Sequence, residues 1–345
     1  MKSSADFQTF YKASLLPVLE TLEAERKKLI KPIYLFVLAV VVLILVQVVI
    51  AMVSDEPAVP VEVITNQGPQ PATGGSVSSG IFNTILLGAG AGALGYFFWF
   101  LPKRRGLRNR YKNDVIGGMV KFVDSSLTYQ PQSGITRDEY MQSGIFTTGG
   151  DRYHCEDLVS GTLGSTAIRF SEVHCEEKHT TYRDGKHHTE YRTLFRGILF
   201  AADFNKHFKG RTVVLTDQAE RALGSLGTMF QKMNVMRDGL IKMDNVDFEK
   251  AFAVYGTDPV EANYILSPAL MERILNFKQR SGNIQLSFSN ANVYISIPVR
   301  ENLFEPRIFS DMTESKSLER YFDFLQMITG IVEELNLNTR IWTKE

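Results

Sequence analysis

Two identical dipeptides, His154-Cys155 and His174-Cys175, lie twenty residues apart, and their thiol and imidazole groups are ligands that Zn²⁺ prefers. Three more histidines follow, at positions 179, 187 and 188. Because adjacent residues on a β-strand point to opposite faces, each pair can offer only one ligand to a given site. The spacing also differs from the C-x₂-C of zinc ribbons. We therefore predict no metal site and expect buried thiols, with the histidines on a polar face or near a hairpin tip. A Cys/His metal sensor is kept as an alternative.

Carboxylates are the second group of residues that could do chemistry. Glu172, Asp203 and Glu261 are candidates for acid–base catalysis in a shared pocket, although helix caps, turns and solvated strand faces use the same residue types. The sequence contains no Walker loop and no G-x-G-x-x-G after a strand, so no cofactor is predicted. The region from residue 113 onward holds 26 basic and 31 acidic residues, which argues against nucleic-acid binding.

Two apolar stretches indicate membrane spans. Residues 33–53 and 81–101 each run for 21 residues, with Gln47 as the strongly polar interruption of the first. At 1.5 Å per residue, each stretch matches the roughly 30 Å of bilayer hydrocarbon. The second stretch ends in an aromatic run, Tyr96 to Phe100, that suits a headgroup interface. We predict a multi-pass protein with two transmembrane helices and the lipid bilayer as a partner.

Basic residues predict the orientation of these helices. Lys and Arg are absent between Pro32 and Pro102, and they cluster on both sides of that segment. Because Lys and Arg resist translocation, we expect both termini in the cytoplasm, a location in the cell inner membrane and an external loop over residues 54–80. The cluster after the second span could also contact anionic lipid headgroups through Lys103, Arg104, Arg105, Arg108, Arg110 and Lys112.

Small residues mark one face of the second span. Gly88 and Gly92 form a small-xxx-small pair that lets another helix approach closely. Two partners are open at this stage: the first span of the same chain, or a second copy in a homo-oligomer.

The remaining pattern predicts an α+β fold with a mainly antiparallel sheet and packed amphipathic helices. We expect a cytoplasmic amphipathic helix within residues 1–32, a basic juxtamembrane segment and helix over residues 102–150, and a soluble domain over residues 151–345. In that domain, period-two runs joined by short turns, including Asp184-Gly185, indicate antiparallel strands. Ser267-Pro268 begins one helix, and a long amphipathic helix begins near Leu318.

Several motifs resemble those of a bacterial domain-of-unknown-function family, number 3137. They are Asp157 to Gly161, Ile168 to His174, Phe195 to Phe200 with Asp203 to Lys206, Phe252 to Tyr255, and Glu261 to Pro268. The resemblance extends from about Tyr111 to the C-terminus and includes the two-span front end. It implies no assigned activity. Members are often encoded near LemA-like membrane proteins, which implies such a protein as a partner. Cys155 and Cys175 do not belong to the family pattern.

These observations together predict a membrane-anchored, non-enzymatic interaction or scaffold domain. The alternative is a membrane-tethered, hydrolase-like enzyme with a carboxylate-lined pocket.

Overall fold

The computed structural model describes residues 2–54, 77–183, 186–204, 207–216 and 239–337. Most of the predicted external loop, the Asp184-Gly185 turn and the stretch from Gly224 to Met236 lie outside these residues. The chain forms two compact structural units. We call Met1–Pro17, Tyr111–Glu305 and Glu314–Glu345 the sheet unit, and Val18–Arg110 with Pro306–Thr313 the hairpin unit.

Long helices dominate the first third of the chain. The α-helices are α1 (Ser4–Phe10), α2 (Leu16–Ser54), α3 (Val77–Gly95), α4 (Leu101–Arg110) and α5 (Gly117–Val123). Three π-helical turns lie between them, at Tyr11–Leu15, Tyr96–Phe100 and Tyr111–Ile116. Two helical runs, Ser4–Val49 and Asn83–Val123, each contain an apolar stretch long enough to cross a membrane. The residues of these apolar stretches are almost entirely unburied, whereas the core helix of a soluble protein is mostly buried.

In the hairpin unit, α2 and α3 pack against each other. The amide of Gln47 donates a 2.5 Å hydrogen bond to the hydroxyl of Thr84. A β-carbon at Gly92 would lie only 3.2 Å from Cε1 of Phe36, and one at Gly88 would lie 3.5 Å from Val40. The small-residue face therefore contacts the first helix, which is one of the two partners that the sequence left open.

The described strands form one antiparallel, nine-stranded sheet with the order β1-β2-β3-β4-β9-β8-β5-β7-β6. They are β1 (Thr128–Gln130), β2 (Arg152–Leu163), β3 (Thr166–Arg183), β4 (Lys186–Asp203), β5 (Arg211–Thr216), β6 (Gly239–Ile241), β7 (Phe252–Gly256), β8 (Gln285–Ser289) and β9 (Asn292–Pro298). The predicted α+β class and antiparallel pairing are confirmed. Strand β4 is buried at every position from Ile198 to Ala202, so both faces of the sheet centre are covered.

Amphipathic helices accompany the sheet: α6 (Arg137–Gln142), α7 (Val246–Ala251), α8 (Pro259–Ile265), α9 (Pro268–Ser281) and α10 (Ser315–Glu334). Ser267 caps α9 by accepting a hydrogen bond from the backbone N–H of Leu270, and Pro268 occupies the first turn, as predicted. Helix α10 buries one face, which includes Leu318, Phe322 and Leu325.

The N-terminal helix docks within the sheet unit. Phe7 stacks on Phe322 of α10 with ring centroids 4.5 Å apart, and Phe10 stacks on Phe122 of α5 at 4.1 Å. The amide of Gln8 donates a hydrogen bond to Glu319. Aromatic pairs of this kind contribute about 0.5–1.5 kcal/mol each beyond their buried area, so α1 is an integral part of this unit.

Replacement of Gly92 by leucine should separate α2 from α3, because the new side chain has to occupy the space of the Phe36 ring. Gly90→Leu is the matched control, since a β-carbon at Gly90 meets nothing within 4 Å. Disulfide formation between cysteines introduced at Gln47 and Thr84 measures the packing. We expect a several-fold slower reaction in Gly92→Leu and no change in Gly90→Leu, whereas equal rates would contradict this packing.

Candidate functional site

A bulge in β2 brings two neighbouring carboxylates to one place. The β2–β3 register runs from Glu156 opposite Glu172 to Val159 opposite Phe170, so β2 has one extra residue there. Asp157 lies in this bulge with a φ of 62°, a left-handed conformation that asparagine and aspartate tolerate better than most residues. Its N–H is satisfied by the carbonyl of Pro131. The bulge therefore cancels the alternation that would otherwise send Glu156 and Asp157 to opposite faces.

The ammonium of Lys112 lies among three carboxylates. It is 2.7 Å from Asp157, 2.9 Å from Glu156 and 2.7 Å from Glu305 in the loop after β9. The lysine is only 2% exposed. Burial alone would lower the pKa of Lys112, but the charge of Asp157 and the carboxylate hydrogen bonds outweigh it and raise the pKa. One permanent cation therefore joins a helix, a strand and a loop.

Asp157 is the most enclosed acid of this group. The phenol of Tyr129 donates a short hydrogen bond to its second oxygen. Burial raises the pKa of Asp157 to about 6, although Lys112 and Tyr129 act in the opposite direction. Burial also raises the pKa of Tyr129, so this phenol stays neutral and acts as a donor.

Glu172 lies beside this group and holds the loop after β9. Its Oε1 accepts hydrogen bonds from the backbone N–H of Leu303 at 2.8 Å and of Phe304 at 3.3 Å. Burial raises the pKa of Glu172 to about 7, and the charges of Asp157 and Glu156 add to this effect. Four acids share one ammonium, so the cluster carries excess negative charge and favours a proton on Glu172 near neutral pH.

A pocket of about 210 Å³ opens over Glu172. Three of its lining residues lie side by side on neighbouring strands. His154 on β2 is opposite His174 on β3, and His174 is opposite Arg196 on β4. The imidazole of His154 is 3.6 Å from Glu156. A small pocket lined by imidazoles, carboxylates and a guanidinium could bind a small polar ligand or exchange protons with it.

In the part of the chain that the structure describes, one group of acids has the spacing of a metal site. Ligand oxygens of Glu156, Asp157 and Glu305 lie within 4.8 Å of one another. The ammonium of Lys112 contacts all three. It therefore supplies the positive charge that a metal ion would otherwise bring.

A family model described as "Protein of unknown function (DUF3137)" matches residues 193–337, from β4 to the end of α10. This match confirms, for 145 of the 345 residues, the resemblance that the motifs predicted. The match includes Glu305 and leaves Glu156, Asp157 and Glu172 outside.

Comparison with the curated proteins finds no match. Among solved structures, the crystal structure of the mycobacterial trehalose monomycolate transport factor A, TtfA, aligns with 9% identity and a TM-score of 0.32. The alignment covers 64% of this chain and 95% of that chain. No function is transferred from a similarity this low.

On strands β2 and β3, the thiols and the imidazoles of the two His-Cys pairs point to opposite faces of the sheet. Cys155 pairs with Val173, and Cys175 is fully buried in a core cluster with Tyr140 and Phe195. Burial raises the pKa of both thiols, so neither is an activated nucleophile. His179, His187 and His188 are exposed on β3 and β4, away from this core.

The three predicted carboxylates do not converge. Glu172 lines the pocket, whereas Asp203 is at the end of β4 opposite Asn292. Glu261 in α8 accepts hydrogen bonds from the backbone N–H groups of Lys209 and Gly210. Glu261 therefore holds the backbone before β5, and among the described residues neither Asp203 nor Glu261 lines the pocket over Glu172.

Lys112 was predicted with the lipid-facing basic cluster, and the structure does not place it there, because its ammonium is buried among carboxylates. The other cluster members, at positions 103, 104, 105, 108 and 110, are not fully buried. The roles of Glu156, Asp157 and Glu305 were not predicted from the sequence, because their contacts with Lys112 join distant parts of the chain. The signal that could have found Asp157 was its position in one of the motifs on which the resemblance rested, although that motif lies outside the matched residues.

Lys112→Met should destabilise the sheet unit by about 3–5 kcal/mol, because it leaves buried carboxylates without a counter-charge. Lys121→Met on the exposed side of α5 is the control and should change stability by less than about 0.5 kcal/mol. Chemical unfolding of the detergent-solubilised chain measures both. The defect should shrink at acid pH, where the carboxylates are protonated. Equal stability of the two variants would contradict a stabilising role for the ion pairs of Lys112.

Glu172→Gln should become more stabilising, relative to the wild type, as pH rises. A carboxyl whose pKa is raised to about 7 contributes stability that is present below the unfolded-state pKa and is lost as pH rises toward 7. Gln keeps the acceptor for Leu303 and carries no charge. We expect the difference in unfolding free energy to grow by about 1–3 kcal/mol between pH 5 and pH 8. Glu301→Gln, which neutralises an exposed acid in the same pocket, is the matched control, and an equal pH dependence in the two variants would contradict this role of Glu172.

Proposed function

We propose that this chain is a membrane-anchored interaction protein whose sheet unit binds a second protein through an extended two-stranded ribbon. We define the ribbon as the part of β3 and β4 from Glu177 to Arg192. Residues 184 and 185 of this segment are not described.

The observation that supports this proposal is that the ribbon extends beyond the strands paired on either side of it. Pairing of β2 with β3 begins at Arg152 opposite Glu176, and pairing of β4 with β9 ends at Gly197 opposite Pro298. The β3–β4 pairing continues past both limits to Arg183 opposite Lys186. This adds seven residue pairs, or about 20 Å of two-stranded structure.

Open strand edges are a template for another chain. Asp151 accepts a hydrogen bond from the backbone N–H of Lys178. Past that point, the described residues of β3 and β4 have no further strand paired to the outer edges of the ribbon. Tyr182 is 70% exposed, and aromatic residues are enriched at protein interfaces. An isolated ribbon of this length is marginally stable in water, and a partner strand would complete its hydrogen bonding.

Exposed apolar side chains support the membrane anchor. Leu35, Leu38 and Leu45 of α2, and Leu86 and Leu87 of α3, are each at least half exposed in the hairpin unit. A continuous apolar surface of this extent is stable only when lipid or protein covers it. Together with the flanking basic residues, it favours two membrane spans with both termini in the cytoplasm.

A LemA-like membrane protein is the partner that we propose to test first, because the family resemblance implies it. Nucleic acid is not proposed, since the region from residue 113 onward carries net negative charge.

A membrane-tethered enzyme is the second candidate. This candidate rests on Glu172, which lines a pocket and whose pKa is raised to about 7 by burial. The separation of Asp203 and Glu261 from this pocket removes the other two acids from such a site.

Photo-crosslinking in native membranes tests the ribbon. A photoreactive residue at Tyr182 should give a discrete crosslinked protein, and one at Val260, which is 79% exposed on α8, should not. Replacing residues 178–191 by a two-residue Asn-Gly turn should abolish the crosslinked complex, detected by co-purification, and leave the unfolding midpoint within a few degrees of the wild type. Identical products from both positions, or lipid adducts alone, would exclude the ribbon as the binding element. A reporter fused after Glu345 should be active only in the cytoplasm.

A further inference from the structure

A second cavity lies within the hairpin unit, between α2 and α4. Its volume is about 380 Å³. Lys28 and Leu29 line it from α2, and Lys103, Gly106 and Leu107 line it from α4. It therefore lies where the chain enters and leaves the two apolar segments.

The depth of this cavity matches a lipid headgroup. Lys28 precedes the apolar segment 33–53 by five residues, and Lys103 follows the segment 81–101 by two. At 1.5 Å per residue, these positions lie about 8 Å and 3 Å beyond the hydrocarbon. The polar region on one side of a bilayer is about 5–8 Å thick, so both ammonium groups are at headgroup level.

The charges of the cavity leave two cations available. Arg110 forms an ion pair with Glu25 at the rim. In the described part of the chain, no carboxylate forms an ion pair with Lys28 or Lys103. The ammonium of Lys103 lies 4.6 Å from the Trp99 ring centroid, a cation–π contact that holds it beside a residue suited to the interface.

The rest of the cavity is apolar and open. Leu29 and Leu107 are buried at its floor. A β-carbon at Gly106 would meet nothing within 4 Å, so the space beside the two lysines is free of protein atoms at this point. A phosphate with an attached glycerol and acyl chain has the matching character, because it is anionic at one end and apolar at the other.

We propose that this cavity binds the phosphate headgroup of an anionic phospholipid from the membrane that holds the two helices. The inference rests on the membrane placement proposed above. Two lysines that line one cavity should favour phosphatidylglycerol over the zwitterionic phosphatidylcholine by about tenfold.

Tryptophan quenching tests this proposal in the full chain. The sequence has two tryptophans, so Trp342→Phe leaves Trp99 as the single reporter beside the cavity. The protein is reconstituted in phosphatidylcholine vesicles that contain a minor fraction of acyl-brominated phosphatidylglycerol or, in parallel, the same fraction of brominated phosphatidylcholine. Brominated phosphatidylglycerol should quench Trp99 several-fold more than brominated phosphatidylcholine does.

Three variants define the site. Lys28→Gln with Lys103→Gln should abolish the preference for phosphatidylglycerol. Gly106→Phe should also abolish it, because the ring fills the cavity without changing any charge. Lys31→Gln with Arg104→Gln removes the same charge from exposed residues that do not line the cavity, and should keep the preference.

Each remaining outcome has a separate meaning. Equal quenching by the two brominated lipids overturns the headgroup site and leaves the membrane placement intact. Equal loss in the two double-glutamine variants, with the preference kept in Gly106→Phe, assigns the preference to diffuse surface charge and also overturns the site. Absence of quenching by either lipid contradicts the membrane placement itself.

Discussion

The buried ion cluster at Lys112 is the interaction on which the sheet unit depends. One ammonium compensates acids from the β2 bulge and from the loop after β9, and it does so from a helix that precedes every strand in the sequence. Removing it would leave buried negative charge next to Glu172, which itself holds the backbone of Leu303 and Phe304. The fold at this end of the sheet is therefore maintained by charge compensation as much as by apolar burial.

That compensation is incomplete, and this has a chemical consequence. Four carboxyls around one lysine favour a proton on the acid with the weakest compensation, which is Glu172. A carboxyl with a pKa of about 7 beside an open pocket is suitable for acid–base work, but a structural cluster shifts pKa values in the same way. The dispersal of Asp203 and Glu261 favours a structural role for Glu172, and it therefore favours a binding function of the chain over a catalytic one.

The two units offer two different kinds of binding surface. In the sheet unit, the ribbon has outer edges that no other described strand pairs with, and a partner strand would complete their hydrogen bonds. In the hairpin unit, Lys28 and Lys103 offer positive charge above an apolar floor, which suits a lipid phosphate. Close packing of Gly88 and Gly92 on the first helix supports the second site, because it brings the ends of the two helices together.

The sequence by itself determined the features that follow from local physics. The length of the apolar stretches, the alternation in the strands and the Ser267-Pro268 helix start depend on neighbouring residues, so these elements could be predicted, and so could the α+β class. Only the tertiary structure decided which side chains meet. Lys112 contacts acids 44, 45 and 193 positions away, and a bulge reverses the direction that strand alternation assigns to Asp157. Neither the long-range pairing nor the extra residue in β2 leaves a periodic signal in the chain, because each depends on a partner strand that the local sequence does not contain.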